Sequence, residues 1–314
     1  MPRKSFSTEI PELQIAWDST SIGALKWCPR YYYYNIVCGR VPREESVHLT
    51  FGILYHEALE TYDKAKALGA SHTVAQRAAV RNALTKSWNS AKQRPWISDH
   101  KQKNRETLIR TVVWYLEQFA EDPLETVILA NGKPAVELSF RLEIDRKSSL
   151  TGEPNMLCGH IDRLVKDFRA SDSSRILDHK TTTSFLAPDF FEKYSPDNQF
   201  SCYSYSGQIV FSMPILGVIA SVAQVGVNFS RFQRGFVPRT KDQLAEWRQD
   251  LDYWLSTAEY FAREGYWPQN DKACGMFGGC PYRKVCGKSA ASRKDWLEAG
   301  FSTRFWDPLI TREA

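Results

Sequence analysis

RILDHKTTTS, residues 175–184, runs an apolar pair, Ile176 and Leu177, straight into Asp178, His179 and Lys180 and then into threonines. Side chains alternate along an extended segment, so Asp178 and Lys180 project from one face, close together. A carboxylate and an ammonium in that position make either a structural ion pair or the charged part of a reaction centre. The neighbouring segments bear on the choice. AVELSFRLEI (135–144), MLCGHIDRLVKDF (156–168) and RILDHKTTT (175–183) alternate apolar and polar residues, which predicts three strands. RASDSS between the last two reads as a turn, so they form an antiparallel hairpin that brings Asp162, in GHIDR, beside Asp178. Two carboxylates facing one lysine suit a divalent cation. Cation plus lysine is what phosphodiester hydrolysis requires, a nucleophile at neutral pH and stabilised charge at phosphorus.

Outward from the hairpin the pattern turns helical. WDSTSIGALKWCPRYYYYNIVCG (17–39) reads as one helix, capped by Ser19, Thr20 or Ser21 and stopped by Gly39. Residues 51–122 form a helical block: Phe51 to about Ala91 with a break at Gly69, then Arg105 to Ala120, ended by EDP. NQFSCYSYSGQIVFS (198–212) suits a helix that sets Gln199 and Tyr203 at i and i+4 on one face. GVIASVAQVGVNFS (217–230) suits a further strand, residues 241–265 a long amphipathic helix, and Arg293–Ala299 a last helix. With no repeat or linker in view, residues 1–314 predict a single α/β domain with a helical insertion and a core over 135–265.

The chain of 314 residues is 43% hydrophobic and 13% aromatic, enough for a large core and too much for wholesale disorder. Its apolar runs fall far short of the about 20 residues that cross a bilayer. MPRKSFSTEIPELQ has no apolar stretch behind its basic residues, so the expectation is a cytoplasmic protein without a secretory signal or membrane partner. A net charge of +5 is compatible with a polyanionic partner without being diagnostic. Seven cysteines in such a chain favour metal ligation, catalysis or burial over a disulfide framework. No Gly-x-x-x-x-Gly-Lys-Ser/Thr motif occurs, so the chain carries no ATP motor of that type.

In chain order the residues read Gly52-x-x-x-His56, then Gly159-His160-Ile161-Asp162, then Asp178-x-Lys180, then Gln199-x-x-x-Tyr203. This ordered set resembles the RecB-like branch of the PD-(D/E)xK nucleases. Within that branch it is most similar to the CRISPR-associated and phage-type exonucleases that carry an iron–sulfur cluster, and the resemblance runs from Ser19 to Cys286. It implies a restriction-endonuclease-like mixed sheet flanked by helices. It implies that His56, Asp162, Asp178 and the carbonyl of His179 hold Mg²⁺ or Mn²⁺, with Lys180 as the catalytic lysine. Gln199 and Tyr203 would contact DNA and position the lysine region, and Glu137 is a further acid on the first strand. The implied activity is a DNA exonuclease on single strands or ends. An endonuclease or flap nuclease on the same site, and a DNA-end-binding module without cleavage, stay open beside it. The implied partners are DNA and a helicase, recombinase or CRISPR-adaptation protein.

CGMFGGCPYRKVC spaces Cys274, Cys280 and Cys286 with five residues in each gap, and Cys28 in KWCPR is the candidate for a fourth ligand. Cys28 and Cys280 each precede a proline, a recurring neighbour of cluster ligands. The resemblance implies a 4Fe-4S staple joining 15–40 to 270–290. The family often has two residues in the first gap where this chain has five, which leaves zinc open. Cys38 is the rival fourth ligand, while Cys38, Cys158 and Cys202 otherwise read as buried small residues. CPRYYYYNIV offers rings for base stacking, though four consecutive tyrosines point all round a helix, so at least two belong to a core. Arg30, Arg231, Arg234 and Arg239 are candidate phosphate contacts, with a solvated loop as the alternative for the last three, and Thr181–Ser184 lies in reach of phosphates.

Overall fold

Strand alternation around Asp162 and Asp178 builds the sheet of a computed structural model that describes residues 3–44, 46–167, 173–211 and 213–311. Backbone contacts divide the chain into two units, one of Met1–Glu44, Phe140–Gly159 and Thr240–Thr311, the other mainly of Glu45–Ser139 and His160–Arg239. Among the described residues no helix is long and apolar enough to cross a membrane.

The second unit begins with helices α1 (Val47–Ala67) and α2 (His72–Lys86), whose first turns are capped by the hydroxyls of Ser46 and Ser71. Gly69, at φ +90°, makes the left-handed turn between them. A small hairpin follows, β1 (Trp88–Asn89) against β2 (Arg94–Pro95), and then α3 (Arg105–Gln118), started by an Asn104–Thr107 capping box. The strands are β3 (Leu124–Thr126), β4 (Val136–Lys147), β5 (Pro154–Asp167) and β6 (Ser174–Thr182). After helix α4 (Asn198–Val210) come β7 (Ile215–Val225) and β8 (Ser230–Pro238).

Strands β5, β6, β7 and β8 lie side by side in that order, and β3 and β4 also pair with β5. The hairpin expected from the sequence is present, with Arg163 opposite Leu177 in an antiparallel ladder. Residues 168–172, which take in most of the expected RASDSS turn, lie outside the described residues. Strands β6 and β7 are parallel, Asp178 beside Ala220, and α4 supplies the crossover that a parallel pair needs. The sheet is therefore mixed, as expected. Strand β8 is a correction: the arginine-rich stretch after residue 230 is no loop, because it pairs antiparallel with β7 along its whole length.

Burial explains the layering. Ile176, Leu177, Val218, Ala220, Val222 and Ala223 are all at 0% exposure, so both faces of the central strands are covered. Phe51, Tyr55, Leu59, Leu108, Val112 and Tyr115 from α1 and α3 form one core with Ala223, Val225 and Phe232. Ala75, Ala79 and Ala83, spaced i, i+4, i+8 and fully buried, are the face by which α2 joins this core.

The first unit corrects the reading of residues 17–39. Asp18, not one of the three hydroxyl residues after it, caps the helix Ser19–Trp27 through a capping box with Ser21. The helix stops at Cys28, which is extended at φ −160° and ψ 114°, and a new turn starts at Pro29. Proline lacks the N–H that would continue the ladder and disfavours helical backbone before it. Tyr32 and Tyr34 are buried, and the run ends in a wider turn over Tyr33–Val37. Helix α5 (Lys241–Glu264) runs from a Thr240–Gln243 capping box to Gly265 at φ +60°, burying Leu244, Trp247, Leu251 and Leu255 along one stripe.

Candidate active site

Helix α1 and strand β5 meet at His56 and Asp162, with Nδ1 of His56 3.3 Å from Oδ2 of Asp162. The same carboxylate oxygen accepts the backbone N–H of His179 at 2.8 Å, so it is fixed from both sides. Glu137, near the start of β4, is buried at 2% exposure and adopts φ +53°. A left-handed backbone at a residue other than glycine stores strain, which recurs at functional sites. His56, Glu137 and Asp162 bring one potential ligand atom each to within 4.8 Å of one another.

One residue past the last ladder pair, Arg163 and Leu177, stand Asp162 on β5 and Asp178 on β6. Asp178 is 1% exposed, and its Oδ2 lies 2.5 Å from Nζ of Lys180. Lys180 also donates to Oε1 of Gln199 at 2.9 Å, and Nε2 of Gln199 donates to the hydroxyl of Tyr203 at 2.9 Å. The i, i+4 spacing on α4 is what lets these two side chains form a relay behind the lysine. His179, pointing to the other face, is enclosed by the rings of Tyr55, Tyr115 and His56.

The electrostatics follow from crowding in a buried place. Burial opposes ionisation of Asp162, yet the adjoining His56 outweighs it and holds this carboxyl below the usual range. Burial likewise opposes a charged His56, and Asp162 reverses that and raises it. Asp178 is pushed up to about 6 by burial and by the negative Asp162, against the pull of Lys180. Lys180 loses some proton affinity to burial and gains more from Asp178 and Asp162, so it stays an ammonium. The arrangement is a half-buried imidazole and paired carboxylates beside one ammonium held by Asp178 and Gln199.

The structure thus gathers His56, Asp162, Asp178, Lys180, Gln199 and Tyr203 in one place. Glu137 stands in the compact trio, and Asp178 is turned to Lys180. Tyr203 is buried and holds Gln199, so its partner is a side chain of the same helix. The expected basic rim is largely committed to the fold. Arg30 is buried and donates to the carbonyl of Trp267. Arg234 grips both carboxylate oxygens of Asp122, at 2.9 and 2.7 Å. Arg239 is buried against Ser201 and Tyr194. Arg231 alone among these is exposed.

Two residues escaped the sequence reading. Asp63, seven residues after His56 and hence on the same side of α1, pairs with Arg163 at 3.0 Å and stands 3.8 Å from the ring of His179. That spacing was a readable signal. Lys103 is 2% exposed and donates to the hydroxyl of Thr181 at 2.9 Å, and burial lowers its ammonium to about 8. No local pattern marks it.

In the first unit Cys28 and Cys274 lie near enough to Cys280 and Cys286 to act on both thiols. Burial raises Cys280 and Cys286, the amide of Tyr282 and the charge of Arg30 respectively oppose it, and the nearby sulfurs add to the rise. The backbone N–H of Asn270 points at Sγ of Cys28 at 3.4 Å. Cys38 faces Tyr33, Glu12, Arg40 and Arg3 instead.

Comparison with known proteins adds the family. The sequence pattern of the PD-(D/E)XK nuclease superfamily matches residues 19–287. Similar solved structures include a candidate exonuclease from Eubacterium rectale, 10% identical, with a TM-score of 0.48 over 87% of this chain and 90% of that one. They also include the protein SSO0001, 10% identical, with a TM-score of 0.29 over 76% of each chain. No curated protein matches. With the matched region containing the trio, the Asp178–Lys180 pair and the Gln199–Tyr203 relay, the chain belongs to the PD-(D/E)XK nuclease superfamily.

Proposed function

We propose that the protein is a metal-dependent deoxyribonuclease, an exonuclease that acts on single-stranded DNA or DNA ends. The observation that carries the reading is the trio His56, Glu137 and Asp162, set beside the Asp178–Lys180 pair on the adjoining strand. One imidazole and buried carboxylates fit Mg²⁺ or Mn²⁺, the nitrogen favouring the slightly softer ion. The strained backbone of Glu137 is consistent with a side chain held for a ligand. A divalent cation held there would supply Lewis acidity and a more acidic bound water. Lys180, steered by Gln199, holds a positive charge where negative charge develops on the phosphate oxygens. Asp178 keeps that ammonium charged, and Tyr203 fixes Gln199.

In the first unit we assign Cys28, Cys274, Cys280 and Cys286 as thiolate ligands of an iron–sulfur cluster with an architectural role. The support is the influence of Cys28 and Cys274 on Cys280 and Cys286 and the amide aimed at Cys28. Anaerobic protein should contain iron and acid-labile sulfide, and Cys280→Ala should lose both. Zinc without iron would replace this assignment with a zinc staple. Unwinding of duplex DNA would come from a separate helicase or recombination partner.

The test of function is degradation of end-labelled linear and circular single-stranded DNA with Mg²⁺ or Mn²⁺. Loss of the linear form alone supports the exonuclease. Cleavage of the circle moves the reading to an endonuclease. Absence of cleavage by metal-loaded protein moves it to a DNA-end-binding module.

A further inference from the structure

The segment from residue 88 to residue 103 links a surface groove to the strand that carries the reaction centre. Its first part is the β1–β2 hairpin, rooted by the Trp96 amide on the Ser87 carbonyl at 2.7 Å and by Arg105 on the Ser87 hydroxyl at 2.9 Å. The hairpin closes a groove of about 360 Å³ whose walls carry Trp88, Lys92, Arg94 and Trp96, and none of its lining residues is acidic. Trp88 is 43% exposed, a large indole face in water. Lys92 and Arg94 are exposed, and among the described residues neither forms a salt bridge. The segment then passes His100, which packs edge-on against His48 at the start of α1, with ring centroids 5.0 Å apart. It ends at Lys103, whose buried ammonium bonds Thr181, the residue after Lys180. No carboxylate among the described residues accompanies that buried charge, and burial is the sole cause of its lowered proton affinity.

We propose that residues 88–103 form a track for single-stranded DNA that leads to Lys180. Bases stack on Trp88, with the half-buried Trp96 backing the groove wall, and phosphates meet Lys92 and Arg94; the segment ends where the buried Lys103 holds Thr181 at the strand end. An exposed indole beside unpaired cations recognises any single strand, because every base offers a π face and every linkage a charge. A duplex, with its bases stacked on each other, offers the phosphates alone. The proposal rests on the nuclease reading for what happens at Lys180, and it concerns binding alone.

The test measures affinity of a labelled oligothymidylate by fluorescence anisotropy across a salt series, with Mg²⁺, in a Lys180→Ala background so that no turnover intervenes. Trp88→Ala should weaken binding roughly 5- to 150-fold with little change in salt slope. Lys92→Ala with Arg94→Ala should reduce the slope by about 1.4, as expected for two single-strand phosphate contacts. Binding of a blunt duplex should not respond to Trp88→Ala. Unchanged affinity and slope in variants that unfold like the parent protein would overturn the track. Equal weakening of single strand and duplex by Trp88→Ala would overturn its single-strand character. Cleavage is not read, so failure here leaves the nuclease test intact.

Discussion

Nδ1 of His56 and Oδ2 of Asp162 stand 3.3 Å apart, joining helix α1 to strand β5 at the point where Glu137 also arrives. Neither residue is placed by its own neighbourhood in sequence. Helix and strand meet because both bury apolar faces, and the site is a by-product of that packing.

Metal binding should therefore depend on both. His56→Ala and Asp162→Asn should each abolish measurable Mn²⁺ binding in a calorimetric titration. Wild-type protein should gain about 2.7 kcal/mol of stability to urea at a metal concentration of 100 times Kd, and Asp162→Asn should gain none.

The relay behind the lysine predicts graded losses. Tyr203→Phe removes the hydroxyl that accepts from Gln199. One neutral hydrogen bond is worth about 1 kcal/mol, so kcat should fall about 5-fold with KM little changed. Gln199→Ala frees Lys180 on that side and should cost more, again in kcat. Equal effects on KM would point to direct DNA contact instead.

Asp63 and Arg163 form a buried pair, with side chains 7% and 10% exposed. Asp63→Ala leaves an uncompensated guanidinium and should destabilise the fold by about 3–5 kcal/mol in urea unfolding.

Lys103 predicts a pH dependence. Its folded value, about 8, lies below that of a free lysine, so the native state binds fewer protons than the unfolded chain between about 8 and about 10.5. Stability should rise with pH across that window. The measurement is the difference between wild type and Lys103→Met, which cancels other groups, and a flat difference would contradict the burial argument.

The hairpin was legible because strand alternation and the Asp–Lys spacing are local. Other features depend on contacts that spacing does not encode. Lys103 and Thr181 are 78 residues apart, and nothing beside either marks the other. The positive φ of Glu137 is a property of the folded backbone. Strand β8 was obscured by its arginines, which suggest solvent, whereas Asp122 neutralises Arg234 within the fold. The helix over residues 17–39 was read through Pro29 because its apolar pattern continues on the far side of the break.

On the proposed function, the charges at residues 178–180 serve phosphodiester hydrolysis. The most direct measurement is the rate of hydrolysis of linear single-stranded DNA in Mn²⁺ by wild type and Lys180→Ala, after confirming that both bind the metal. The rate should be lower by about 10²–10³ for the variant. Hydrolysis by Lys180→Ala at the wild-type rate would contradict it and leave Asp178 and Lys180 a structural ion pair.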